Sequence, residues 1–365
     1  MNLKNFKFKT KLTTGICLAA LLLASCGGGN NSSNSDNTSG DDNTLLGAGS
    51  TFVYPLFSKL FSEYNKATGL KVNYQSIGSG GGILQLTNKT VDFGDSDAPL
   101  NEEQTQKAGA SVLHIPMCSG AVVLSYNLPE VKDTLKLTSE IIANIFLGKI
   151  KNWNDTQIAA VNTGVQLPNT PIVVAHRSDG SGTTNIFTTY LAGVSTDWNS
   201  KVGKGSSINW PAGLGGKGNE GVAGLVKQTP GAIGYIELAY AIQNKMAFAK
   251  LQNKSGNFIS PTVTSTSAAG NIQIPTDAKV SLANTDAADG YPISGFTWAL
   301  IYKEQKYNSR SQDRATKLVK LLWWNIHEGQ KYCESLNYAQ LSPAAVSVAE
   351  TILKSATYDG KPILQ

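Results

Sequence analysis

From residue 45 onward the chain alternates between two hydrophobic periods. Short β-branched apolar runs give way to stretches in which apolar residues recur every three or four positions. The clearest case is Pro171-Ile172-Val173-Val174-Ala175, which reads as a buried strand. It is followed by the glycine-rich Arg177-Ser178-Asp179-Gly180-Ser181-Gly182-Thr183, then by Ile186, Phe187, Tyr190 and Leu191 at helical spacing. The same order occurs twice upstream. Leu45-Leu46 leads through Gly47-Ala48-Gly49-Ser50-Thr51 into a helix whose face is Phe52, Leu56, Phe57, Leu60, Phe61 and Tyr64, with Gly69 as its C-cap. Residues 70–75 read as strand, 77–82 as a glycine-rich turn, and Ile83, Leu84 and Leu86 as the helix that follows.

Further strands are expected at 112–116, 120–126, 232–236 and 291–301. Helices are expected at 101–108, 138–147, 155–161, 219–228, 314–328 and 344–353. Residues 200–218 read mostly as loop, and 253–285 show little periodicity. Alternating strands and helices predict α/β layers with largely parallel sheets. Trp323 and Trp324, on a late helix, read as core.

The N-terminus follows another logic. Lys4, Lys7, Lys9 and Lys11 precede a short apolar run, residues 15–24, too short to span a bilayer. Leu23-Ala24-Ser25-Cys26 resembles a bacterial lipoprotein signal, which implies cleavage after residue 25 and a lipid (palmitate among its chains) on Cys26. Residues 27–44 contain no apolar side chain and read as a disordered tether, so 26–44 would be a lipid-anchored linker. Removing residues 1–25 takes four Lys and no acid, lowering the formal charge from +5 to +1. The basic balance therefore belongs to the signal and gives no support for nucleic-acid binding. Cys118 and Cys333 remain, and either a disulfide or two separate buried thiols fits an exported chain. His114, His176 and His327 lack metal-ligand spacing, so no metal or other cofactor is expected.

Three strand-to-helix turns carrying hydroxyls among glycines form a setting for an anion. The first N–H groups of a helix lack intrahelical partners, and the helix dipole is positive there. Arg177 adds a planar fork for two oxygens. Read locally, each hydroxyl is also a plain helix cap, and Asp97 a turn residue before Pro99. A carboxylate among such donors repels an anion unless the ligand brings a proton to donate. Phosphate near neutral pH carries one and sulfate does not.

The segments Gly47-Ala48-Gly49-Ser50-Thr51-Phe52, Ile77-Gly78-Ser79-Gly80-Gly81-Gly82, Val91-Asp92-Phe93-Gly94-Asp95-Ser96-Asp97-Ala98-Pro99-Leu100, Arg177-Ser178-Asp179-Gly180-Ser181-Gly182-Thr183, Gly213-Leu214-Gly215-Gly216-Lys217-Gly218-Asn219 and Pro230-Gly231-Ala232-Ile233-Gly234-Tyr235 resemble the periplasmic phosphate-binding protein of ABC-type phosphate uptake systems. The resemblance spans nearly all of 45–365. It implies an α/β, two-domain periplasmic-binding-protein fold (type II-like), each domain a mixed sheet flanked by helices, with the ligand in the interdomain cleft. Domain I would be 45–116 plus 290–365 and domain II 117–289, with crossings near 116–119 and 286–291. Carried over, Thr51, Phe52 (through its backbone N–H), Ser79, Asp97, Arg177, Ser181, Gly182 and Thr183 bind inorganic phosphate, Asp97 accepts its proton, and Asp179 holds the Arg177 fork. The partners implied are the permease subunits and ATPase of an ABC phosphate transporter, and a membrane reached through the lipid, with the protein a monomer.

Three positions depart from the family pattern. Gly80 replaces a second Ser, leaving its backbone N–H to serve the ligand. Asp95 adds charge where a small neutral residue is common, and is expected to face away from the cleft. His176 replaces a residue often basic. The G-x-G-x-x-G at 213–218 follows Trp210-Pro211-Ala212 rather than a strand, which makes a dinucleotide site a poor reading. The competing functions are a receptor for another tetrahedral oxyanion (sulfate or molybdate), a secreted phosphatase, and a surface or adhesion protein. A phosphatase would need an activated nucleophile, yet no Ser here lies in G-x-S-x-G and no His lies near Ser79 or Ser181 in sequence.

Overall fold

A computed structural model of the chain describes residues 42–364. The expected lipidation site Cys26, the expected signal and most of the expected tether fall outside the described residues. The fold begins slightly before the expected boundary: Asn43 donates from its side chain to the Gly69 carbonyl, and Thr44 opens the first strand.

In chain order the elements are β1 (Thr44–Gly49), α1 (Tyr54–Thr68), β2 (Lys71–Ser76), α2 (Ser79–Thr87), β3 (Phe93–Ser96), α3 (Glu102–Ala108) and β4 (Val112–Tyr126). Then come β5 (Lys136–Leu137), α4 (Ser139–Phe146), α5 (Thr156–Val161), β6 (Val173–Arg177), α6 (Gly182–Val194), α7 (Thr196–Lys201), β7 (Leu214–Gly216), α8 (Gly218–Gln228), β8 (Ala232–Glu237) and α9 (Leu238–Gln243). The chain continues through β9 (Ala247–Phe248), β10 (Lys250–Gln252), β11 (Phe258–Ile259), α10 (Val263–Ala269) and β12 (Ser294–Tyr302) to α11 (Gln312–Ile326) and α12 (Pro343–Lys354).

The main sheet runs β2-β1-β3-β12-β4-β8-β6-β7. Its outer parts are parallel, as the strand–helix alternation requires. Its centre is not: β12 pairs antiparallel with β3 and β4, and β4 antiparallel with β8. The sheet is mixed, as the family resemblance implies and unlike the largely parallel sheets that strand–helix alternation alone suggests, because β12 returns from late in the chain and enters between strands laid down early.

The expected strands at 112–116 and 120–126 are one fifteen-residue strand, β4. Pro116 does not end it, since a bulge opposite Thr297 and Trp298 skips Met117 from the ladder. The Met117 carbonyl left over accepts from the Gln330 side chain at 2.9 Å. One end of β4 pairs with β12 and the other with β8, so this strand joins the two halves of the sheet.

The predicted face of α1 is buried: Leu56, Phe57, Leu60, Phe61 and Tyr64 all point inward, and Gly69 ends the helix at φ 78°. Each such Leu or Phe contributes about 1.5–3 kcal/mol of burial. Trp323 and Trp324 sit half-buried at the edge of the core, with Trp324 5.2 Å from the Tyr64 ring. Residues 214–216, expected as loop, form β7 beside β6 and so supply the strand that precedes α8. Cys118 and Cys333 are both buried free thiols.

Candidate functional site

Arg177 is the last residue of β6, and its turn delivers it into the interior. Nε donates to Asp179 Oδ1 at 2.8 Å and Nη2 to Asp179 Oδ2 at 2.6 Å. The Gly218 amide donates to the same Oδ1 at 3.1 Å, so the glycine-rich segment before α8 helps to fix Asp179. Burial pushes the Asp179 carboxyl up, the hydrogen bonds and charge of Arg177 more than offset it, and the net shift is downward. Gly78, at φ 86°, is required opposite this pair, since a Cβ there would collide with Asp179 Oδ2. His176 stacks on Trp210 at 4.9 Å, with Nδ1 3.0 Å from the Arg177 carbonyl.

Three buried hydroxyls follow, of which Thr183 meets the remaining edge of Arg177 directly. Thr51 Oγ1 accepts from the Asn219 amide at 3.1 Å and from Asn219 Nδ2 at 2.8 Å. Thr183 Oγ1 accepts from Arg177 Nη1 at 3.3 Å and from Asn219 Nδ2 at 3.2 Å. Ser79 Oγ accepts from the Gly182 amide at 3.1 Å and from the Asp97 amide at 3.3 Å. A hydroxyl has two lone pairs and one hydrogen. With both lone pairs taken by N–H groups, each of these hydroxyls is left as a donor. The site is therefore built to donate.

Asp97 is the acceptor among them. Ser50 Oγ donates to Oδ2 at 2.7 Å and Thr297 Oγ1 to Oδ1 at 2.7 Å. Burial pushes its carboxyl up to about 6, and the Ser50 and Thr297 hydroxyls, the Arg177 charge and the Ser79 hydroxyl hold it from rising further. Gly182 packs so close that a Cβ would meet Asp97 Oδ2 at 2.5 Å, which explains glycine at the first position of α6. A cavity of about 200 Å³ touches Asp97 but none of Thr51, Ser79, Arg177, Ser181 or Thr183, and carries the exposed Lys204 and Lys279 on its lining. Their charge favours an anion at its mouth.

Of the residues expected at the site, Thr51, Phe52, Ser79, Asp97, Arg177, Ser181, Gly182 and Thr183 are all buried. Hydrogen bonds join Phe52, Ser79, Asp97 and Gly182 in one group and Thr51, Thr183 and Arg177 in another. Ser181 also caps α6, accepting from the Thr184 amide at 3.0 Å. The Phe52 amide donates to Ser50 Oγ at 2.9 Å, so in this structure it supports the residue that holds Asp97.

Two expectations are corrected. The Gly80 amide donates to the Gly180 carbonyl at 2.9 Å, joining two turns rather than facing a ligand. Asp95 does not face away: it is fully buried, with Oδ1 2.8 Å from the Thr297 hydroxyl that Asp97 also uses. The two-residue period of an extended chain puts positions 95 and 97 on the same side.

Ser50, Asn219 and Thr297 were not singled out from the sequence. Ser50 and Asn219 stood inside recognised glycine-rich segments, whereas nothing local marks Thr297. Among the described residues no group of three or more His, Cys, Asp or Glu could hold a metal ion, and no helix is long and apolar enough to cross a membrane.

Comparison with known proteins adds to this geometry. Residues 33–322 match the model of the PBP superfamily domain. The chain is similar to the phosphate-binding protein PstS of Xylella fastidiosa (strain Temecula1), 45% identical over 308 residues that cover 83% of each chain. It is also similar to the phosphate-binding protein PstS of Haemophilus influenzae, 43% identical over 317 residues, 86% of this chain and 93% of that protein. Among solved structures, a phosphate-binding protein from Stenotrophomonas maltophilia superposes with a TM-score of 0.64 at 16% identity, covering 84% of this chain and 93% of the other. At that identity the likeness speaks to fold alone.

Proposed function

The chain belongs to the PstS phosphate-binding proteins of the PBP superfamily, and from that premise we propose that it binds inorganic phosphate outside the cytoplasm and delivers it to the permease of an ABC phosphate importer. The observation that carries this reading is the set of three hydroxyls forced to donate, beside one carboxylate that accepts. Such a site matches a small oxyanion that still holds a proton.

In this reading Thr51, Ser79, Arg177, Ser181 and Thr183 donate to phosphate oxygens. The Phe52 and Gly182 amides leave their present serine partners for the ligand, so that Thr51 and Thr183 remain the hydroxyls with both lone pairs occupied. Asp97 accepts the phosphate's proton in a hydrogen bond, and Asp179 keeps the Arg177 fork aimed. Sulfate would leave Asp97 an unpaired and repelled contact. Residues 45–116 with 290–365 and residues 117–289 move as two lobes about β4 and the 286–291 crossing. Several bonds tie the lobes together: Asn219 reaches Thr51, Gly182 reaches Ser79, and Tyr240 Oη donates to the Thr51 carbonyl at 2.6 Å. The family is one of substrate-binding proteins, and the chain does no chemistry of its own. A lipid on Cys26 and the following tether hold it at a membrane as a monomer.

Calorimetric titration of the purified, ligand-stripped protein with phosphate and then sulfate at neutral pH tests this. One-to-one phosphate binding with no sulfate heat is expected. Equal affinity for both would make it a receptor for oxyanions in general, and silence with both would sink the proposal.

A further inference from the structure

The Thr297 hydroxyl stands 2.8 Å from Asp95 Oδ1 and 2.7 Å from Asp97 Oδ1. It has one hydrogen, so it can donate to only one of them. The other oxygen must bring a hydrogen of its own, or it faces the hydroxyl lone pair to lone pair. The surroundings decide which. Asp97 accepts a second hydrogen bond from Ser50 and feels the Arg177 charge, both of which favour its ionised form. Asp95 is fully buried, and its Oδ2 has no hydrogen-bond partner. That is tolerable for a neutral carbonyl oxygen and expensive for half of a carboxylate.

We infer that Asp95 is a neutral carboxylic acid whose O–H donates to Thr297 Oγ1, that Thr297 donates in turn to Asp97, and that Asp95 thereby positions the acceptor that reads the ligand's proton. The floor of the site then carries one negative charge instead of two. Burial first, and the Asp97 charge second, push the Asp95 carboxyl well above the usual carboxylate range, the direction this relay requires. The other titratable groups near Asp95 are Tyr74 on β2 and Cys118 on β4, both pushed upward by burial and so neutral. Burial pushes the Glu237 carboxyl on β8 well above the usual carboxylate range, and the Asp97 charge adds to that shift. Arg177 reaches Asp97 through its charge. The relay as a device for ligand discrimination rests on the phosphate reading above. The protonation of Asp95 does not.

The test combines infrared spectroscopy with phosphate and sulfate titrations of the full chain. Asp95→Asn keeps a donor for Thr297, so its phosphate affinity should stay within about threefold of wild type at neutral pH, less than one ordinary hydrogen bond is worth. Thr297→Val breaks the relay and should lose about tenfold to a hundredfold, the equivalent of a hydrogen bond to a charged group. Thr297→Ser keeps the hydroxyl and should retain affinity, which guards against a fold lost by either of the others. The wild-type spectrum at neutral pH should contain a protonated-carboxyl C=O stretch that Asp95→Asn removes. At alkaline pH, phosphate affinity should fall in wild type as Asp95 ionises and stay level in Asp95→Asn. A neutral-pH spectrum unchanged by Asp95→Asn would overturn the inference, as would loss of binding in Asp95→Asn as severe as in Thr297→Val. If wild type binds no phosphate at all, the proposed function fails, and the infrared signal alone still decides the state of Asp95.

Discussion

Two buried arginine–aspartate groups in this chain use the same residue types for opposite ends. Asp92, just before β3, accepts from the Leu46 amide at 2.6 Å, from Arg314 Nε at 2.8 Å and Nη2 at 2.7 Å, and from Arg310 Nη2. Arg310 also donates to Gln305 and lies 4.6 Å from the Tyr307 ring centroid. These groups close on one another and tie α11 and the segment before it to the first strands. Arg177 and Asp179 instead pair along one edge of the guanidinium. The other edge turns to Thr183, whose own hydrogen is then directed onward. A buried ion pair is thus a strut when one carboxylate is filled by donors from distant segments, as Asp92 is, and part of a site when its hydrogen bonds lead on to hydroxyls that still donate.

The contrast can be broken at either end. Asp92→Ala leaves two guanidinium groups without their carboxylate and should destabilise the fold by about 3–5 kcal/mol, seen in denaturant unfolding, with little change in phosphate affinity in the fraction that folds. Arg177→Ala should do the reverse, weakening phosphate binding by about 2–5 kcal/mol in calorimetry. Near-wild-type affinity in that variant would place Arg177 outside the pocket.

Asp97→Asn tests the acceptor and should narrow the preference for phosphate over sulfate by about 1–3 kcal/mol, since its amide can donate to sulfate. Wild type should show the same narrowing as pH falls through about 6, where the Asp97 carboxyl takes up a proton and becomes a donor. A preference that holds steady to pH 5 would remove Asp97 from that role. The smallest effect belongs to Thr51→Val, which deletes one neutral hydroxyl and should weaken phosphate binding by about 1 kcal/mol.

Much of this was legible in the chain itself, for a physical reason. Caps, turns and amphipathic faces are made by residues within a few positions of one another. The Gly69 C-cap, the Ser181 N-cap, the buried face of α1 and the Arg177–Asp179 fork all lie within such short spans. The three glycine-rich turns and the acceptor Asp97 could therefore be found from local pattern and family resemblance together.

What only the tertiary structure decided is which donors meet which oxygens across long separations. Asn219 reaches Thr51 over 168 residues and Thr297 reaches Asp97 over 200, on strands and helices whose neighbours no local pattern specifies. The late return of β12 between β3 and β4 made the sheet mixed and brought Thr297 to two carboxyls at once. Asp95 shows the division most plainly. Its residue type and its two-residue spacing from Asp97 are written in the sequence, but its neutral state follows only when a distant hydroxyl with a single hydrogen is set between the two acids.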